Sequence, residues 1–149
     1  MTDEGEGPEV VVAGFDGSHE SSGALSWACR YAAATGATLR VVTAWHDRTG
    51  VGGPAPIGVT PDEVGGDINQ RIRDELAEAI TKAWPDAPAG RVETKIDNGH
   101  PAQVLVDESE HAGLLVVGSR GHGGFARTLV GSVSTHCVNH AFCPVVVVR

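Results

Sequence analysis

Four short runs of this chain are almost wholly apolar and rich in β-branched residues: EVVVAG (Glu9 to Gly14), TLRVVTAW (Thr38 to Trp45), LLVV (Leu114 to Val117) and VVVV (Val145 to Val148, entered through Pro144). Runs of strand length with no polar face predict strands buried on both sides. A fifth stretch, Arg91 to Ile96, alternates polar and apolar residues and reads as a strand near a sheet edge. Between these runs the period changes. Ala24, Leu25, Ala28 and Ala32 recur at helical spacing until Gly36 stops the helix. Ile68, Ile72, Leu76, Ile80 and Ala83 step by three or four with charged residues between them, an amphipathic helix ending at Trp84-Pro85. Asn98-Gly99-His100-Pro101 opens a third helix, with proline in its first turn, running to about His111. A fourth helix spans about Gly131 to His140. His46 to Gly66 is rich in glycine and proline and shows no period, which predicts a long surface loop with the potential to act as a lid.

Strands alternating with helices in this order predict an α/β fold: a five-stranded, mostly parallel sheet with helices on both faces, in a single domain over residues 9–149. Ligands of such sheets bind outside the carboxyl ends of the strands, at a switch in strand order. The turn Asp16-Gly17-Ser18 leaves the end of the first strand. The segment beginning at Gly118 leaves the end of the fourth. Both therefore fall on the ligand-binding edge.

Charge and composition narrow the function. The chain has 149 residues and a net charge of -8, which argues against phosphate-backbone binding and hence against a nucleic-acid partner. No apolar run approaches the ~20 residues of a membrane span. The acidic start, residues 1–8, lacks the basic region of a signal peptide and is expected to be a disordered tail. Cys29, Cys137 and Cys143 are an odd number, read as free thiols of a cytoplasmic protein.

The segment GSRGHGGFARTLVGSVS, Gly118 to Ser134, carries the candidate chemistry. Glycines let backbone N–H groups approach a ligand, and a helix that starts after them presents unsatisfied donors and partial positive charge. Together these make an anion site, with phosphate the usual occupant. Ser132 adds a hydroxyl, and Arg120 and Arg127 add positive charge. The competing reading is a solvated glycine loop that merely crosses between layers. The spacing fits neither the P-loop nor the dinucleotide fingerprint. It is Gly118, two residues, Gly121, nine residues, then Gly131-Ser132. That resembles the ATP-binding signature of the universal stress protein family.

The resemblance extends to VVVAGFDGS at the first strand, NGHPAQVLVDES at the third helix and GSVSTHCVNHAFCPVVVVR at the end. It implies an adenine nucleotide alpha hydrolase-like, Rossmann-like fold and an ATP site. Gly14, Phe15 and Asp16 would line the adenine and ribose side, and Val42 would lie against the base. Gly118 and Gly121 would let the backbone close on ribose and phosphates. Gly131, Ser132 and Val133, helped by Ser134, would meet the phosphates with amides and hydroxyls. Arg120 and Arg127 occupy variable positions of the family's loop. The resemblance further implies a homodimer paired through Val145 to Val148 and a stress-response role. AMP and cyclic AMP stand as alternatives to ATP, and Asp16 is the candidate to meet Mg²⁺ with the nucleotide. Against these roles, Asp16 and Ser132 also suit helix capping, Val42 is core in either case, and Gly118 and Gly121 also suit tight strand–helix packing.

No catalytic set is evident, so the expectation is a binding protein rather than an enzyme, with a slow ATPase or phosphotransferase on the same site as the alternative. A ligand-independent interaction protein is the third reading. His136, Cys137, His140 and Cys143 cluster in sequence, but Cys137 falls on the apolar side of its helix. Exposed histidines and buried thiols are expected there rather than a metal site.

Overall fold

The computed structural model describes residues 9–45, 61–119 and 131–149. The element order is β1 (Val10–Gly14), α1 (His19–Thr35), β2 (Thr38–Trp45), α2 (Pro61–Ala83), β3 (Val92–Asn98), α3 (Pro101–Ser109), β4 (Leu114–Gly118), α4 (Ser132–His140) and β5 (Val145–Val148). The sheet runs β3-β2-β1-β4-β5 with every neighbouring pair parallel. Strand order reverses between β1 and β4, the switch point where the carboxyl ends diverge. β3 and β5 are the two edges, as the alternating pattern of β3 led one to expect.

The five strands bury residues on alternate faces, as successive side chains of a strand must. On one face Val11, Ala13, Leu39, Val41, Leu114 and Val116 pack with Ala24, Leu25, Ala28 and Ala32 of α1 and Leu76 of α2. On the other, Val12, Val42, Leu115 and Val117 pack with Leu105 of α3 and Cys137 of α4. α1 is laid down by Ser18, whose hydroxyl accepts from the Ser21 N–H at 3.2 Å, and stopped by Gly36 at φ 81°.

One expectation is corrected. The unstructured stretch does not reach Gly66, because α2 begins at Pro61. Proline suits the first position of a helix. That signal outweighs the helix-weakening pair Gly65-Gly66. The rest of the expected loop, residues 46–60, and the expected tail, residues 1–8, lie outside the described residues.

Candidate functional site

The end of β1 is fixed by β2. The Phe15 N–H donates to the Val42 carbonyl at 2.9 Å, and the Thr43 hydroxyl donates to the Phe15 carbonyl at 2.8 Å. Both backbone groups of Phe15 are thereby engaged, and its ring packs into the α1-side core. Phe15 holds the floor of the edge. Asp16 follows, exposed, with Oδ1 accepting from the Ser18 N–H at 2.9 Å and its own N–H donating to the Ser21 hydroxyl at 3.3 Å. The helix cap itself is Ser18. Asp16 shapes the turn before it.

The end of β4 is fixed by β5 and α4. The Ser119 N–H donates to the Val148 carbonyl at 2.7 Å. The Ser119 carbonyl accepts from the Gly131 N–H and from the Ser134 hydroxyl, the latter at 3.0 Å. The same hydroxyl also lies 3.0 Å from the Gly131 carbonyl. Ser134 is buried, so the fold seats the first turn of α4 directly on the end of β4.

This geometry sorts the expected phosphate contacts. The amide of Gly131 is engaged by Ser119, and its residue is the N-cap of α4 without a side-chain cap. Ser132 is the first helical residue, exposed, and not the cap. The amides of Ser132, Val133 and Ser134 belong to the first turn and have no intrahelical acceptor. No acidic side chain sits in that turn to neutralise the positive helix end. These three amides and the Ser132 hydroxyl stand at the start of α4, beside the end of β4.

The two glycines at the switch point face opposite ways. A Cβ on Gly118 would lie 2.7 Å from the Glu20 carbonyl carbon and 2.8 Å from its oxygen, so α1 rests against the bare backbone here. A Cβ on Gly14 would lie 2.9 Å from a Leu105 methyl on the α3 side. Val42 is 1% exposed and belongs to the α3-side core. Arg120, Gly121 and Arg127 lie outside the described residues.

Three structural positions were not anticipated from sequence: Thr43, Ser119 and Glu108. Thr43 is a polar residue inside an apolar run, and that was its signal. Ser119 had only its place after Gly118. Glu108 of α3, side chain 8% exposed, accepts from Arg40 of β2 at 3.1 Å and from Lys95 of β3. Arg40 also pairs with Glu93 at 3.0 Å. Burial alone would raise the Glu108 carboxyl, but hydrogen bonds from Lys95 and Arg40 outweigh it and hold the group below the usual 4.5. An arginine amid the valines of β2 was the visible sign.

Burial pushes the thiols of Cys29 and Cys137 up to about 11, and that of Cys143 upward, reinforced by Glu9. At neutral pH they stay protonated and act as small apolar side chains. Among the described residues no group of three or more His, Cys, Asp or Glu is placed to hold a metal ion. An opening of about 600 Å³ lies on the opposite face of the sheet from α4, bounded by Asp16, Ser22, Ser26, Glu75, Glu78 and Lys82. Its walls carry both signs of charge.

A sequence model of the universal stress protein family matches residues 8–149. The chain belongs to that family. A universal stress protein of Mycolicibacterium smegmatis is 37% identical over 139 residues, covering 93% of this chain and 45% of its own length. One from Mycobacterium tuberculosis is 34% identical over 142 residues, covering 93% and 47%. The chain thus spans about half the length of the curated relatives it matches. Among solved structures, UspA from Lactobacillus plantarum superposes with a TM-score of 0.76 at 23% identity, covering 95% of this chain and 97% of that one. A universal stress protein solved in complex with cAMP superposes at 0.65 with 30% identity, covering 95% and 96%. Another, from Archaeoglobus fulgidus in complex with dAMP, superposes at 0.63 with 19% identity and supports the fold. Among the described residues no helix is long and apolar enough to cross a membrane.

Proposed function

We propose that this universal stress protein binds an adenine nucleotide, ATP by preference, at the switch point between β1 and β4. The observation that carries the reading is the first turn of α4. Its amides at Ser132, Val133 and Ser134 stand at the end of β4 with no acidic side chain in the turn, and Ser134 pins that turn to Ser119. A phosphate chain is the anion that this arrangement fits. The relative solved with cAMP supports the adenine class of ligand. Asp16, at the end of β1, is the candidate to meet Mg²⁺ carried by the phosphates. The role is binding that biases the chain between conformations rather than efficient turnover.

Calorimetry with ATP, AMP and cyclic AMP, each with and without Mg²⁺, tests the reading. Micromolar ATP binding is expected, about 8 kcal/mol, and no heat from any of the three would overturn it. Gly131→Asp is the informative variant. Asp is a favoured N-cap, so it keeps or strengthens α4, yet it puts a carboxylate where the phosphates belong. Loss of ATP binding by a folded Gly131→Asp chain supports the placement; retained affinity refutes it. Phosphate release well above that of Gly131→Asp would make the protein an enzyme.

The same reading makes the chain a homodimer through β5. Val145 to Val148 form a sheet edge whose four valines are each only half-buried, and such an edge calls for a partner strand. Light scattering is expected to give twice the chain mass.

A further inference from the structure

The outward side of α4 carries a feature that nucleotide binding does not use. His136 and His140 are one helical turn apart, and their rings stand in contact, centroids 4.4 Å apart and tilted by 41°. His136 is half-buried and His140 is exposed. Residues four apart on a helix lie one above the other, and two histidines so placed can each give one ring nitrogen to one cation. Two imidazoles sharing a tetrahedral Zn²⁺ at ~2.1 Å per bond have centroids ~5.3 Å apart. The observed spacing is within about one ångström of that, a gap that side-chain rotations close.

The surroundings favour a cation. His140 lies in the last turn of α4, at its negative end, and the whole chain carries a net charge of -8. Cys137, between the two histidines in sequence, is fully buried in the α3-side core and cannot join them. We propose that His136 and His140 form a two-ligand chelating site for a divalent transition cation, Zn²⁺ or Cu²⁺, with water filling the remaining positions. A site with two protein ligands is open and exchangeable. It suits metal sensing or buffering rather than a structural role, which takes four closed ligands. Imidazole ligands and open positions favour Cu²⁺ over Zn²⁺ in affinity.

The test is calorimetric titration of Zn²⁺, then Cu²⁺, into the full chain without nucleotide in a non-chelating buffer, comparing wild type with His136→Gln, His140→Gln and the control His100→Gln. Circular dichroism confirms that each variant is folded. One equivalent per chain is expected in wild type and in His100→Gln. Removing either member of the pair leaves a single ligand and weakens that equivalent on the order of a hundredfold. Zn²⁺ is also expected to raise the melting temperature of wild type but not of His140→Gln, and to shift the ring ¹⁵N resonances of His136 and His140 together. No uptake by wild type, or unchanged affinity in both pair variants, overturns the proposal. Equal loss in His100→Gln overturns it too. None of these results bears on ATP binding, which His140→Gln is expected to retain.

Discussion

The two faces of the sheet solve the same packing problem with different materials. Against β1 and β4, α1 brings alanines and one leucine so close that at Gly118 the backbone of Glu20 fills the place of a side chain. Against the same two strands, α3 brings Leu105, whose methyl groups end near Gly14. One glycine is faced by main chain, the other by the far end of a flexible side chain. Interiors close-packed to this degree tolerate added volume only where the neighbour can turn away. The α3 face also has the smaller buried cluster and adds a charged one, Arg40, Lys95 and Glu108, where the α1 face uses apolar contact.

The sharpest test of this contrast is Gly118→Ala. The new methyl meets the backbone of Glu20, so α1 has to shift, at a cost of about 3 kcal/mol. Urea denaturation would measure it. A loss under 1 kcal/mol would mean that α1 moves freely and the two faces are alike.

Next in size is Glu108→Ala, which leaves Arg40 and Lys95 without their buried partner. Both cations are partly exposed and water compensates them, so about 2 kcal/mol is expected rather than the larger penalty of a fully enclosed pair. The pH dependence has a definite sign. The carboxyl is held below its usual value in the folded chain, so its contribution is present above pH 4.5 and is lost as pH falls through the lowered folded value. In Glu108→Gln that part of the acid slope should be absent from melting curves taken between pH 6 and pH 3. A wild-type slope in the variant would remove Glu108 from the account of acid stability.

The smallest effect belongs to Gly14→Ala, about 1 to 1.5 kcal/mol, because a Leu105 rotamer change makes room. If Gly14→Ala proved costlier than Gly118→Ala, the contrast would be inverted.

How much of this was legible beforehand depended on whether a signal was local. Apolar runs, helical periods and start signals such as Pro101 placed the nine elements of the described residues, because burial on two faces or one stripe writes itself into neighbouring residues. The start of α2 was misplaced, since Gly65-Gly66 weakens a helix locally while Pro61 begins one. Gly118 was visible in a spacing, and the same glycine has a packing reason that only the approach of Glu20 reveals. Thr43, Ser119 and Glu108 act through partners 28, 15 and 68 residues away, and no window of sequence brings those together. The engaged amide of Gly131 is of the same kind. Its acceptor, Ser119, is known only once the strand and the helix are seated.

The rims of the sheet differ as well. β3 is bordered by Glu93 and Lys95, exposed and already matched to cations and carboxylates of this molecule, while β5 shows a row of valines. A strand approaching the first rim comes up against paired charges; one approaching the second comes up against the half-buried valines of β5. In the dimer proposed above, lateral growth would proceed from the β5 side. Two molecules meeting there by a two-fold rotation would leave the charged β3 rims outward, so extension would halt at a pair instead of running on into a filament.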